Sequence, residues 1–203
     1  MTVELTTQID PSFVPTILDH EYEASLPLYE FVFSSVEDAR RAQRILFDTG
    51  AGEWAPPHGR AVVQDGELVG VMAGALASDL RRARLGAALA LARAGIFDDQ
   101  NLARRMQLAV GTLAQPLETD YYYGVVAITP AARGTDVGPE MSELALQVAR
   151  DNGATRAIGQ TVAGNSRLEA YYEGIGYHWI GESRASDPAT GRELHYRHFA
   201  QLV

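Results

Sequence analysis

The chain has 203 residues, 46% hydrophobic and 21% charged, enough to bury one full core as a single domain over residues 1–203. It has no cysteine, and all 17 basic residues are arginine, so disulfides, thiolate metal sites, cysteine nucleophiles, Schiff-base lysines and a lysine-bearing phosphate loop are excluded together. A net charge of −9 argues against nucleic acid as a partner, no apolar run is long enough to span a bilayer, and the acidic, polar N-terminus lacks a signal-peptide pattern; no membrane association and a cytoplasmic location are expected.

Residues 3–7 alternate as a short strand. Segments 13–20 and 26–33 carry apolar residues at helical spacing and separate near Pro27. Residues 36–48 predict a firmer helix, capped by Ser35, with Ala39, Ile45 and Leu46 on its apolar side. A loop at 55–59, with Pro56 and Pro57, precedes strands at 60–64 and 68–76; these flank Asp65-Gly66, a strong hairpin signal. Residues 79–114 predict two helices broken around Gly95 and 98–101. Leu85, Leu89 and Ala92 recur in the first, and Leu102, Met106, Val110 and Leu113 in the second. Arg81, Arg82, Arg84, Arg104 and Arg105 decorate this insertion, either as a solvated face or as an electropositive rim for an anionic cofactor.

From residue 119 the order is strand, loop, helix, strand, helix, strand, strand. Residues 121–128 are aromatic and β-branched, which predicts a buried strand. Residues 139–152 predict a helix with Pro139 in its first turn, Met141, Leu144, Ala145, Val148 and Ala149 as its stripe, and Gly153 as its stop. Strand 156–161, helix 166–173 and a closing hairpin of 177–182 with 193–199 complete the chain. The alternation implies an α/β (α+β) fold with a central mixed sheet flanked by helices and a helical insertion at about 79–114.

Residues 125–138 read Val-Val-Ala-Ile-Thr-Pro-Ala-Ala-Arg-Gly-Thr-Asp-Val-Gly: a strand end, an arginine and glycine loop, and a helix start. Unpaired amides and the peptide dipoles make such a place suited to a phosphate or pyrophosphate. One helix and one strand later, residues 161–177 read Thr-Val-Ala-Gly-Asn-Ser-Arg-Leu-Glu-Ala-Tyr-Tyr-Glu-Gly-Ile-Gly-Tyr. The pair resembles the GNAT superfamily of N-acetyltransferases, whose cofactor loop runs Val-x-Pro-x-x-Arg-Gly-x-Gly-x-Gly and whose later motif runs Asn, then Leu-Tyr-Glu-x-Leu-Gly-Phe. It covers 127–182 without a gap and is loose over 1–118.

The resemblance implies a GNAT-like, mostly antiparallel sheet, with a substrate-side half at 1–118 and an acyl-CoA-binding half at 119–203. It implies acetyl-CoA, or another acyl-CoA, as co-substrate, no metal, and an acceptor amine on a small molecule or a protein. Ala127 and Ile128 would offer main-chain groups to the pantetheine arm; Arg133, Gly134, Thr135, Asp136, Val137 and Gly138 would cradle the pyrophosphate; Asn165 would make a polar contact to the cofactor. Tyr172 matches the tyrosine that protonates the departing thiolate, while Tyr171 reads as packing. By residue type alone, Tyr172 also suits a core tyrosine, and Asn165 a helix cap.

Asp136 stands where the family places glycine. Aspartate tolerates positive φ, but its charge about 5 Å from a phosphate, at an effective dielectric of about 20, costs roughly 3 kcal/mol. Glu140 would add to this unless it turns away, and Arg133 could neutralise Asp136. A binding or regulatory module that has lost its cofactor is therefore the alternative to an enzyme. The general base has no clear candidate: Glu118 and Asp120 precede the strand, and Tyr122 or Tyr123 could orient a water. His195 and His198 fall on opposite faces of one strand, Trp54 and Trp179 read as core or loop anchors, and the closing hairpin could pair two subunits as a homodimer.

Overall fold

The computed structural model describes residues 2–54 and 58–203. The loop expected at 55–59 and the side chain of Trp54 lie largely outside the described residues. Seven strands, β1 (Val3–Thr6), β2 (Gly59–Gln64), β3 (Glu67–Leu76), β4 (Asp120–Ile128), β5 (Arg156–Val162), β6 (His178–Asp187) and β7 (Arg192–Leu202), form one sheet in the order β1-β2-β3-β4-β5-β7-β6. Every pairing is antiparallel except β4 with β5. Seven helices cover it: α1 (Val14–Ala24), α2 (Leu26–Val32), α3 (Val36–Asp48), α4 (Ala77–Arg93), α5 (Gln100–Thr112), α6 (Val137–Asp151) and α7 (Ser166–Gly174). Among the described residues, no helix is long and apolar enough to cross a membrane.

Local chemistry explains several boundaries. Asp65 and Gly66 take φ of 52° and 86°, the doubly left-handed turn that matches strand twist in a tight hairpin. The Ser35 side chain accepts from the Asp38 amide and starts α3. Pro27 sits inside the first turn of α2, where its missing N–H costs nothing, so α1 and α2 separate at Ser25.

Alternation along the strands sends side chains to two cores. Tyr121, Tyr123, Ala157 and Phe199 pack with Val137, Met141 and Ala145 of α6 on one face. On the other, Ala61, Val71, Ala73 and Val125 meet Ile17 of α1. There too Tyr122, Ile158 and Ala200 meet Leu80 of α4.

The insertion forms the two expected helices, but its stripe is rotated from the sequence reading. Leu85 and Leu89 are 62% and 48% exposed, and Ala77, Leu80, Ala83 and Leu91 face inward. Alanine occupies both sides of this helix, so the leucines alone do not mark the buried one. The arginines also divide. Arg105 is buried and donates to Val32 O (2.7 Å) and Ser34 Oγ (3.1 Å), binding a carbonyl left free at the end of α2. Arg104 pairs with buried Asp187 at 2.7 Å. Trp179, expected in a core or as a loop anchor, is 57% exposed on the edge strand β6.

β4 and β5 pair over only Asp120–Tyr122 and Arg156–Ile158, then diverge. At the base of the fork Arg156 grips fully buried Asp120 through Nε to Oδ1 (2.9 Å) and Nη2 to Oδ2 (2.8 Å), and Asp120 also accepts from the Leu117 amide (2.7 Å). Asp120→Ala strands the Arg156 guanidinium, so chemical denaturation should show a loss of about 3 kcal/mol.

Candidate active site

The fork opens a cavity of about 800 Å³ that runs through the sheet from α6 and α7 on one face to α1, α3, α4 and α5 on the other. A bulge shapes one wall. The β3–β4 register shifts between Ala73 and Gly74, which oppose Val125 and Tyr123, so Gly124 is the extra residue. Beyond Tyr122 the edge of β4 that faces β5 has no strand partner.

The loop after β4, expected to cradle a phosphate, runs into the start of α6. Gly134 has φ of 82°, with open space where a Cβ would sit. The Thr135 amide bonds Ala132 O (3.4 Å) and the Val137 amide bonds Thr135 Oγ1 (3.3 Å). The amides of Gly134, Asp136 and Gly138 have no hydrogen-bond partner among the described residues. Three unpaired donors at the N-terminus of α6 fit a diphosphate.

Asp136 needs no left-handed backbone. Its φ of −70° and ψ of −8° are helical, and its exposed side chain makes no cap bond. Arg133 does not neutralise it; the guanidinium turns back to Ile128 O (3.2 Å) and Glu23 (3.3 Å). Glu140 points away and accepts from the Val3 amide (3.3 Å).

Two tyrosines of α7 face the cavity. Tyr172 stacks on Phe199 with ring centroids 5.0 Å apart, and its hydroxyl lies where a Cβ on Gly159 would approach within 2.7 Å. Burial first, then the neighbouring Tyr171 phenol, pushes the Tyr172 hydroxyl up to about 12, so it holds its proton at neutral pH. Tyr171, expected only to pack, shares a 2.7 Å hydrogen bond with Ser142 Oγ and so ties α7 to α6 along the cavity wall. The Asn165 side chain caps α7 by accepting from the Leu168 amide (3.2 Å) while lining the same cavity.

The carboxylates nearest in sequence are engaged elsewhere. Glu118 is a surface residue 3.7 Å from Arg81, and Asp120 is locked to Arg156. The Tyr123 hydroxyl donates to Ala145 O.

A residue absent from the sequence reading enters instead. Glu53, on the short 3-10 turn Gly52–Trp54 before β2, places its carboxylate in the space that a side chain at Gly124 would fill. It has no hydrogen-bond partner among the described residues and faces the cavity. Burial raises it to about 7; Arg84 pulls it down and Glu21 pushes it up. The sequence signal was Gly124 itself, since a glycine inside an aromatic strand marks a close approach, although it does not say of what. His195 and His198 do fall apart: His198 meets Ser183 Oγ (2.8 Å), and His195 lies 3.4 Å from Glu182.

No protein-family model and no curated protein matches the chain by sequence. Solved structures do match by fold. An N-acetyltransferase from Staphylococcus aureus Mu50 superposes with a TM-score of 0.66 at 11% identity, covering 97% of this chain and 99% of its own. A GNAT-family acetyltransferase from Bacillus anthracis gives 0.56 at 11%, covering 100% and 95%. The ribosomal-protein-S18-alanine N-acetyltransferase of Escherichia coli gives 0.54 at 13%, covering 100% of this chain and 94% of its own. The chain therefore has the GNAT acetyltransferase fold.

Glu53 makes stability depend on pH in a defined sense. Below about 4.3, the value of a free glutamate, folded and unfolded chains both hold the proton. Between about 4.3 and about 7 the unfolded chain ionises this half-buried carboxyl while the folded chain keeps it protonated, so stability falls across that window and levels off above it. Glu53→Gln removes that burden. Its melting temperature relative to the parent should climb between pH 5 and pH 8, equivalent to about 2 kcal/mol.

Proposed function

We propose that this protein is an N-acetyltransferase that moves an acetyl group from acetyl-CoA to a primary amine by direct attack in a ternary complex. The observation that carries the reading is a forked sheet with a protonated phenol entering from one face and an unbonded carboxyl, poised near neutrality, entering from the other. The fold shared with named acetyltransferases supports it.

The unpaired amides of Gly134, Asp136 and Gly138 would hold the diphosphate, with Arg133, Thr135 and Val137 shaping the loop around it. The free edge of β4 through Ala127 and Ile128 would pair with the pantetheine amides as an added strand does, and Asn165 would contact the arm from the start of α7. Bound acetyl-CoA would supply a thioester whose carbonyl carbon gains the amine nitrogen as its C–S bond breaks.

The chain's residues manage the protons. An alkylamine is charged at neutral pH, with a pKa of about 10.4, and cannot attack until a proton leaves. Glu53 is placed to take it, and a base near 7 is ionised about half of the time at neutral pH and so can accept the proton. Tyr172 gives its proton to the departing sulfur, and recovers one from solvent between turnovers.

The charge on Asp136 weighs less than the loop pattern suggests. Because the side chain is exposed, a water-like dielectric of about 80 applies; at about 6 Å the repulsion is roughly 0.7 kcal/mol, about threefold in affinity. This favours an enzyme over a module that has lost its donor.

Calorimetric titration with acetyl-CoA should release heat, and Asp136→Gly should tighten binding only about threefold. Binding that appears solely in that variant would make the natural chain the degenerate module. Tyr172→Phe should keep donor binding and lower kcat about 100-fold. Neither heat nor thermal shift at millimolar acetyl-CoA, in parent and variant alike, would overturn the assignment.

A further inference from the structure

Arg84 is the one cationic side chain among the described residues that line the cavity. The other arginines singled out in the insertion have acceptors: Arg81 with Glu118, Arg82 with Asp79, Arg104 with Asp187, and Arg105 with Val32 O and Ser34. Arg84 has none. Its Nε and Nη2 are buried without a hydrogen-bond partner, and its guanidinium carbon lies 5.3 Å from the Tyr122 ring centroid. Its charge lowers the Glu53 carboxyl through space, but the two form no ion pair. Buried guanidinium N–H groups without acceptors are costly and call for an anion.

The geometry of the unpaired edge narrows the anion. Nε and Nη2 form the side of the guanidinium whose two N–H bonds run parallel, matched to the two oxygens of a carboxylate. The same edge of Arg156 grips Asp120 in this chain, at 2.9 and 2.8 Å. On this side of the sheet the cavity wall includes apolar Leu46, Leu91, Phe97 and Met106, while Glu21 is already engaged by Tyr29, Ser25 and Gln43. Arg84 and Glu53 thus line one cavity, on the face opposite Tyr172.

We infer that the acceptor is an amino carboxylate with an apolar body, its carboxylate clamped by the Nε–Nη2 edge of Arg84 and its amine delivered to Glu53. The inference rests on the transferase reading for the fate of the amine, but the carboxylate clamp stands without it. Arg84 fixes the acceptor and leaves donor binding alone, so it acts on KM for the acceptor. Specificity follows from the same edge: an amine lacking the carboxylate leaves those buried donors unpaired and is rejected.

The clamp is tested without acetyl-CoA, by thermal shift and calorimetry with 3-phenylpropanoate and straight-chain carboxylates, against 3-phenylpropanamide. The parent should bind at least one carboxylate, with the matching amide weaker by about tenfold or more. Arg84→Met should abolish that difference while melting close to the parent, since it breaks no hydrogen bond or ion pair among the described residues and gives up only the guanidinium contact with the Tyr122 ring and a through-space effect on Glu53. Arg84→Lys, which keeps the charge without the paired edge, should bind about tenfold more weakly than the parent. With acetyl-CoA, phenylalanine should exceed 2-phenylethylamine in kcat/KM by about 100-fold or more, and the ratio should collapse in Arg84→Met through KM. Equal binding of acid and amide, equal binding by parent and Arg84→Met, or no carboxylate bound at about 10 mM would overturn the clamp. Arg84-dependent carboxylate binding in a chain that fails to bind acetyl-CoA would overturn the transferase reading and keep the clamp.

Discussion

The structure is organised by two parallel strands that are tied at one end and free at the other. Hydrogen bonding between β4 and β5 persists for three residue pairs, where the Asp120–Arg156 ion pair holds the strands together. Past that point β4 follows β3 through the Gly124 bulge and β5 follows β7. A sheet cannot close a gap between strands committed to different neighbours, so the gap becomes the cavity. Both faces of the molecule then reach the same opening, which places the phenol of Tyr172 and the carboxyl of Glu53 around one volume without any element spanning the core.

Much of this is legible in the residues. Caps, turn pairs and periodicity place nearly every element, because Ser35, Asp65-Gly66 and Gly153 act through short-range backbone chemistry that needs no tertiary context. The loop at 133–138 is equally local: a helix start with unpaired amides can be read from where a strand ends and a stripe begins. The conformation of Asp136 is not. A family pattern with glycine there suggests an unusual backbone, whereas the left-handed residue is Gly134 and Asp136 sits in ordinary helical geometry.

What escapes sequence reading is what arrives from far along the chain. Glu53 lies in a stretch with no periodicity and meets Gly124 across the fold. The helical insertion poses a different problem. On α4 alanine is common on every side, and the conspicuous leucines at 85 and 89 turn to solvent while small residues pack. Five arginines that look like one electropositive surface serve unlike ends: one is buried against the end of α2, several pair on the surface, and one faces the cavity unbonded. Residue type announces the charge; only the packing sorts its use.

The way Glu53 meets Gly124 separates a candidate functional group from architecture. The carboxyl is carried by a brief turn outside the sheet and touches the strand only where that strand has no side chain. Changes in this connection could shift, remove or replace the acidic group while every ladder bond of β3 and β4 stays intact. A lineage built on such a frame can exchange one polar group at the cavity for another by rewriting a peripheral segment, leaving the sheet as inherited.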